Sequence, residues 1–294
     1  MQNNMIVKNK INTVVIMAMF VAIIGAISLV ISYFWGGMNV VIGGIVFAVL
    51  YTLLQYFLAS KIAVLSTGAK QIQKSDNPRL FGIVQKLSRK AQLPMPKVYI
   101  IDDPAPNAFA TGRNPKTALV CATTGLMDIM NDDELEAVMA HEMSHVKNYD
   151  IRVSMIAFGL ASVVGVLSNI AGQTIINDGR RDGEGNGGFQ MILGVLVIIL
   201  APILALVIQM AVSRSREFLA DASAAKIMGR PDNMISALKQ LRKHSKPMQK
   251  QDSATAMLFI SNPLRKGGAV ARLFSTHPPL EERIVALEDS KHGF

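Results

Sequence analysis

The charge-free segment 11–60 constrains this chain more than any other feature, because it contains no Asp, Glu, Lys or Arg. Two apolar runs, residues 11–33 and 40–59, lie on either side of the pair Gly36-Gly37. A helix of about 20 apolar residues spans a bilayer, and Gly-Gly favours a tight turn. The pattern predicts an N-terminal transmembrane hairpin over residues 1–60. The alternatives are a buried hairpin in a soluble protein and a cleaved signal peptide, whose apolar core is shorter.

A second membrane hairpin is predicted over residues 153–213. Residues 189–212 are strongly apolar, whereas residues 153–176 carry several Ser, Asn and Gln side chains, so that this part either spans the bilayer or lines a polar cavity or interface. The polar segments 61–152 and 214–294 lie outside the two hairpins. Neither is long enough to bury a comfortable core alone, so we expect them to fold together as one domain on the membrane.

Basic residues flank the predicted spans on one side, and they set the predicted topology. They include Lys8, Lys10, Lys61, Lys70, Lys147, Arg152, Arg214 and Arg216. The positive-inside rule then places both termini and both polar segments in the cytoplasm. The net charge of +9 reflects this topology and a C-terminal surface suited to anionic lipid. Nucleic-acid binding is not expected, since no basic stripe with interleaved aromatic residues is present, and nothing in the pattern indicates an oligomeric state.

The segment 131–147 predicts a helix that carries a metal-binding motif. Asn131 and Glu134 have the spacing of an N-terminal capping box. Further along lies the sequence HEMSH, an H-E-x-x-H motif that begins at His141 and ends at His145. The two histidines are one helical turn apart, so both imidazoles can reach one Zn²⁺. Glu142 lies beside them, where it can take a proton from a metal-bound water.

The motif supplies two ligands, and a catalytic zinc site usually has three protein ligands and one open position. His244 and His292 lie in solvated, basic surroundings, which leaves His277 and the carboxylates that follow the second hairpin. Glu217 and Asp221 are four residues apart on one helical face. Glu217 is a candidate third ligand, and Asp221 can hold a ligand imidazole in the correct tautomer. The alternative is an ordinary acidic helix face.

Three further residues are weaker candidates for the site. Asn148 lies one heptad after the first histidine of the motif and can support the site from the same helix face. Arg216 can pair with Asp150, pair with Asp221 or help to stabilise the oxyanion, and the pattern does not choose among these. His277 precedes two prolines and a predicted helix, so it either belongs to the helix start or hydrogen-bonds the oxyanion or orders the cleft.

Taken together, these motifs closely resemble the HtpX family of bacterial membrane zinc endopeptidases, which are relatives of the CAAX-processing prenyl protease. The resemblance covers nearly the whole chain. Besides the N-terminal hairpin it includes, in order, Asn107–Gly112, His141–His145 with Asn148 and Asp150, Arg216–Asp221, and Ser275–Arg283.

The resemblance implies an α-helical integral membrane protein with about four transmembrane helices and a cytoplasmic α+β gluzincin-type zinc metalloprotease domain. It implies one Zn²⁺ per chain, held by His141, His145 and Glu217, with Glu142 as general base. It also implies a role at the cytoplasmic face of the bacterial inner membrane, in quality control of misfolded or damaged membrane proteins.

Proteases of this kind commonly offer a sheet edge to an extended substrate. The neighbourhood of Asn107–Gly112 or the predicted strand Leu119–Thr123 can fill that role, and plain sheet core is the alternative for both. Cys121, the only cysteine, is expected to be a small buried apolar residue.

The sequence therefore predicts a membrane-embedded zinc endopeptidase. Two rival hypotheses come from other classes. A transporter would place ionisable groups at mid-membrane, and the predicted spans hold none. A non-enzymatic scaffold or holdase would keep the fold and tolerate loss of His141.

Overall fold

The computed structural model describes residues 2–35, 37–159, 214–250, 253–256, 258–263 and 278–290. Most of the predicted second membrane hairpin, residues 160–213, lies outside the described residues. So does His277.

The N-terminal hairpin consists of two long helices, α1 (Gln2–Trp35) and α2 (Met38–Thr67). Both contain a segment long and apolar enough to cross a membrane, with mean hydropathies of 1.7 and 2.1. Among the described residues, all exposed large hydrophobic side chains except Met95 and Val285 lie on these two helices. An apolar surface of this extent marks a membrane or protein interface rather than a solvated face. Helix α2 ends at Gly68, whose φ of 71° lies in the left-handed region that glycine tolerates.

A small mixed sheet follows the hairpin. Its strands are β1 (Lys70–Gln71), β2 (Lys97–Ile101), β3 (Ala108–Thr111) and β4 (Leu119–Thr123), and they lie in the order β1-β2-β4-β3. Strand β4 is central, because it pairs in parallel with β2 and antiparallel with β3. Helix α3 (Pro78–Ala91) connects β1 to β2, and Asn77 caps its N-terminus by accepting a hydrogen bond from the backbone N–H of Leu80.

Helices form the rest of the domain. They are α4 (Thr124–Ile129), α5 (Asp132–Lys147), α6 (Arg214–Met228), α7 (Asp232–Lys243), the single turn α8 (Ser253–Ala256) and α9 (Leu280–Asp289), and residues 150–159 are also helical.

Helix α5 is the central element of this domain. Its predicted capping box is present, since the Asn131 side chain accepts a hydrogen bond from the backbone N–H of Glu134 and the Glu134 carboxylate accepts one from the backbone N–H of Asn131. The helix is buried against α3, α6, α7 and strand β3. Residues from both polar segments of the chain share one hydrophobic core around it, including Leu135 and Leu238. This packing excludes water from the part of α5 that carries the histidine motif.

Candidate metal centre

Three possible metal ligands converge where helices α5 and α6 pack together. The Nε2 atoms of His141 and His145 lie 3.1 Å apart. The two carboxylate oxygens of Glu217 lie 3.5 Å from these nitrogens, one on each. One donor atom from each of the three residues falls within a single sphere, with all mutual distances below 4.8 Å. Two ligands of a tetrahedral zinc ion at its usual bond lengths lie about 3.3 Å apart, so the spacing suits such an ion.

A carboxylate binds the other nitrogen of each imidazole. Nδ1 of His141 lies 2.9 Å from Oδ1 of Asp221, and Nδ1 of His145 lies 3.0 Å from Oδ2 of Asp150. A carboxylate accepts the Nδ1 proton, so the Nε2 lone pair of each ring is left to face the other ligands. This is the arrangement by which carboxylates commonly orient zinc-binding histidines. The donor set therefore fits a divalent cation in both spacing and tautomer.

Arg283 is part of this site, although the sequence pattern did not single it out. Its guanidinium comes from helix α9, is fully buried and donates two hydrogen bonds to Asp221, at 2.8 and 2.6 Å. Another guanidinium nitrogen lies 3.9 Å from Oε2 of Glu217. Because a buried carboxylate is costly without a partner, Arg283 makes it possible for Asp221 to stay ionised beside His141. The only signal in the sequence was the position of Arg283 at the end of the Ser275–Arg283 motif.

The electrostatics of the cluster favour positive charge at the ligands. Burial and the Arg283 charge act to lower the pKa of His141, but hydrogen bonds and charge from Asp221 and Glu217 outweigh them and raise it to about 9. The pKa of His145 is raised too, because Glu217 and Asp150 outweigh burial. Arg283, in turn, holds the pKa of Asp221 below its ordinary value despite burial. A site that draws protons onto imidazoles in this way also attracts a divalent cation.

Glu142 lies in the same buried environment, next to the ligands on α5 and 2% exposed. Burial raises its pKa, and the neighbouring imidazoles act in the opposite direction. A general base works best when its pKa is moved towards the operating pH. Its position and environment are those expected of a carboxylate that exchanges protons at the metal.

A second polar network reaches the site from the N-terminal helix. The side-chain amide of Asn9, 3% exposed on α1, donates to Oδ1 of Asp150 at 2.7 Å and to the backbone oxygen of Asn148 at 2.9 Å. Arg216 donates to Oδ1 of Asn9 at 3.3 Å and lies 4.0 Å from Asp150. The sequence left the partner of Arg216 open. In the structure Arg216 lies beside Asp150, whereas Asp221 accepts hydrogen bonds from Arg283. Asn9 was missed because a lone Asn in a membrane-helix segment has no motif.

Asn107 does not contact the metal ligands in the described structure. Its side-chain amide forms two hydrogen bonds with the backbone of Ser261, at 2.8 and 3.1 Å. Next to it, Phe259 forms a bridge to Phe109, and the backbone N–H of Ile260 donates to Ala108 at 2.9 Å. The chain's own residues thus pair with the outer side of strand β3.

Of the two strands predicted as substrate edges, β4 has both of its sides paired within the sheet. It therefore offers no free edge, and the alternative of plain sheet core applies to it. Cys121 on this strand is fully buried, as expected. On strand β3 the outer side is already paired with Phe259 and Ile260 at Ala108 and Phe109, so its use as a substrate edge stays a prediction.

The family model for peptidase family M48 matches residues 74–291 of this chain, which include all three converging ligands. The chain belongs to peptidase family M48. It is 48% identical to the protease HtpX homolog of Tropheryma whipplei strain Twist over the whole length of both chains. It is 46% identical to that of Limosilactobacillus fermentum and 43% identical to that of Streptococcus gordonii, over 96% of this chain and at least 97% of each relative.

Among solved structures, the fold is similar to that of Ste24p from S. mikatae. The TM-score is 0.50 at 18% sequence identity, and the alignment covers 97% of this chain and 67% of that protein. The predicted resemblance to HtpX-type proteins is confirmed by the relatives. This member of family M48 is accordingly an HtpX-type membrane protease, a metallopeptidase that hydrolyses peptide bonds.

Proposed function

We propose that this M48 protease uses one Zn²⁺ per chain, held by His141, His145 and Glu217, to cleave unfolded, misfolded or damaged membrane proteins. The observation that carries the proposal is the convergence of three buried donors whose imidazoles are each tied to a carboxylate through Nδ1. A His₂Glu set with an open position is typical of catalytic zinc. Cobalt and manganese are chemically tolerated by the same ligands, so zinc is part of the proposal.

The reaction divides between the metal and the protein. Zinc, when bound, acts as a Lewis acid that polarises the scissile carbonyl and activates water. Glu142 takes a proton from the attacking water and then delivers it to the leaving amine. Asp221 and Asp150 hold the two imidazoles in the tautomer that presents Nε2. The buried walls around α5 exclude bulk water, which strengthens every one of these interactions.

We place the site at the cytoplasmic face of the bacterial inner membrane, with both termini in the cytoplasm. The exposed apolar surface of the hairpin α1–α2 and the basic residues beside it support this topology. Residues 1–60 and 153–213 would be the two membrane hairpins of a multi-pass protein. Residues 61–152 and 214–294 would form the catalytic domain, with the motif helix in the first part and the third ligand in the second. A protease in this position meets its substrates as they lie in or emerge from the bilayer, which suits protein quality control.

The decisive test compares wild type with Glu142→Gln, both purified in detergent and loaded with zinc. The substrate is an unfolded, fluorescently labelled protein. We expect wild type to cleave it and Glu142→Gln to bind zinc in equal amount but lose about a hundredfold to ten-thousandfold in turnover, since the base is removed and the ligands are kept. Glu281→Gln, an exposed residue on α9, is the matched control and should cleave like wild type. Equal cleavage by Glu142→Gln would disprove the mechanism.

The quality-control role needs a separate comparison. Proteoliposomes containing either a stable membrane protein or a destabilised variant of it should show faster cleavage of the destabilised one. Equal rates would remove the quality-control part of the proposal and leave the peptidase. Normal complementation by His141→Ala in cells would favour the scaffold hypothesis, and solute flux into vesicles would favour the transporter.

A further inference from the structure

Cations and aromatic rings alternate along one surface where the N-terminal hairpin meets the catalytic domain. We name this set the cation–aromatic ladder. Its members, in spatial order, are Lys10, Tyr149, Arg152, Tyr56, Arg113 and Phe57. None of them belongs to the metal centre.

The ladder is held together by cation–π contacts. Nζ of Lys10 lies 5.3 Å from the centroid of the Tyr149 ring, and the Arg152 guanidinium carbon lies 5.2 Å from the same centroid. Arg152 and Arg113 both approach the ring of Tyr56, at 6.0 and 5.7 Å. In addition, Nε of Arg152 donates to the backbone oxygen of Arg113 at 2.7 Å. Both guanidiniums are therefore within 6.0 Å of the centre of one ring, and Arg152 is also tied to the backbone of Arg113.

Three positive charges in a row repel one another, and the described part of the chain supplies no counter-charge. No carboxylate of the described residues forms an ion pair with Lys10, Arg113 or Arg152. Lys10 is exposed, and the two arginines are half-buried. Cation–π contacts at such sites offset only part of the repulsion. An anion that meets both guanidiniums would neutralise it, and phosphate oxygens are well matched to the donor fork of arginine.

The ladder lies at the ends of helices that we assign to the membrane. Lys10 is in the first turns of the candidate span 6–26. Tyr56 and Phe57 lie in the C-terminal half of the second candidate span, 38–67, where the charge-free run ends just before Lys61. Arg152 lies in the first turn of the helical segment 150–159, which leads into the predicted third span. Tyrosine is typical of the headgroup level of a bilayer, and basic pockets between membrane helices on the cytoplasmic side bind anionic headgroups. Phe57, 54% exposed, adds apolar surface to the ladder.

We propose that the cation–aromatic ladder binds the phosphate of an anionic phospholipid headgroup. Arg113 and Arg152 would hold the phosphate oxygens, Lys10 would add charge, and the rings would pack against the glycerol and upper acyl chain. The inference rests on the membrane location in the proposed function, but it is independent of the metal. Tyr149 directly precedes Asp150, and Lys10 directly follows Asn9, so a bound lipid would also hold in place the segments that support His145.

The test uses the full-length protein in neutral detergent micelles, to which phosphatidylglycerol, phosphatidylcholine or inorganic phosphate is added. Native mass spectrometry then gives the bound lipid per protein. We expect wild type to prefer phosphatidylglycerol over phosphatidylcholine at least tenfold. The variant Arg113→Gln/Arg152→Gln should lose that preference. The charge-matched control Lys97→Gln/Lys116→Gln, which alters exposed lysines, should keep it.

Two results would overturn the proposal. One is equal binding of phosphatidylglycerol by the arginine double variant and the lysine control. The other is full displacement of phosphatidylglycerol by an equal concentration of inorganic phosphate, which would assign the ladder to a free phosphate. Lys10→Gln, a change at an exposed position, should weaken lipid binding about threefold. This single variant still tests the ladder if the arginine double variant misfolds. Zinc content is measured in parallel. Lipid preference without proteolysis would refute the proposed function and leave this inference intact.

Discussion

Replacement of Arg283 by Met tests how the metal centre is assembled. The guanidinium is fully buried and makes two hydrogen bonds to Asp221, which in turn accepts from Nδ1 of His141. Methionine fills a similar volume without charge. The change removes the guanidinium from a buried carboxylate that keeps the His141 imidazolium as a partner. The loss should therefore lie near the lower end of the range of about 3–5 kcal/mol that removal of one partner from a buried pair costs. Zinc affinity should also fall, by about 10- to 100-fold, because Asp221 no longer orients the ligand imidazole in the same way.

Two measurements check these values. Denaturant titration of the metal-free protein in detergent gives the free energy of unfolding, and competition with a chromogenic chelator gives the zinc affinity. Arg242→Met is the control, since Arg242 is exposed and its nearest carboxylate oxygen on Glu281 is 3.9 Å away. An exposed pair of this kind contributes about 0–1 kcal/mol, so this variant should match wild type in zinc affinity.

A double variant separates stability from metal binding. Arg283→Met combined with Asp221→Leu replaces the whole buried pair by apolar side chains, and such replacements are often neutral in stability. We expect it to recover most of the lost unfolding free energy but none of the zinc affinity, because His141 has then lost its Nδ1 partner. The reasoning is refuted if Arg283→Met stays within about 1 kcal/mol of wild type and binds zinc equally well.

Three further predictions concern the protonation, support and packing of the site. In the metal-free protein the pKa of His141 is raised to about 9, so its stabilising contribution is complete below about pH 6.5 and is lost as the pH rises through 9. An unfolding midpoint that did not fall between pH 6.5 and 9.5 would contradict this. Asn9→Leu should weaken zinc binding about tenfold through Asp150, the lower end of the range for outer hydrogen-bond partners. Asn4→Leu on the same helix should not, and equal affinities would exclude the link. Gly125→Ala should destabilise the fold by about 1–3 kcal/mol, because the added Cβ would overlap a backbone carbonyl. Gly82→Ala on α3 meets open space and should be neutral or stabilising by about 0.5–1 kcal/mol, and a reversed order would count against the packing.

The local features of this protein could be predicted because each depends on residues that lie within one or two helical turns of one another. The capping box at Asn131, the imidazole pair of the motif and the four-residue spacing of Glu217 and Asp221 are all set by helix geometry. The charge-free segment likewise predicts two long apolar helices joined by a turn, and both helices are long and apolar enough to cross a membrane. Spacing thus predicted the imidazole pair, but it left Glu217 and Asp221 as candidates beside the alternative of an ordinary acidic face. The full His₂Glu set was implied by the family resemblance.

Tertiary structure alone decided which distant residues complete these local features. Arg283 meets Asp221 across 62 positions, and Asn9 meets Asp150 across 141. Neither contact leaves a periodic trace in the sequence, because it depends on how α9 and α1 pack around α5. The same is true of strand order, which put β4 in the middle of the sheet and left β3 with an outer side. By itself the sequence determined the two long apolar helices and the motif helix with its imidazole pair. The packing of the helices decided which charges neutralise the site, because burial makes an unpaired charge costly and only the fold determines what is buried together.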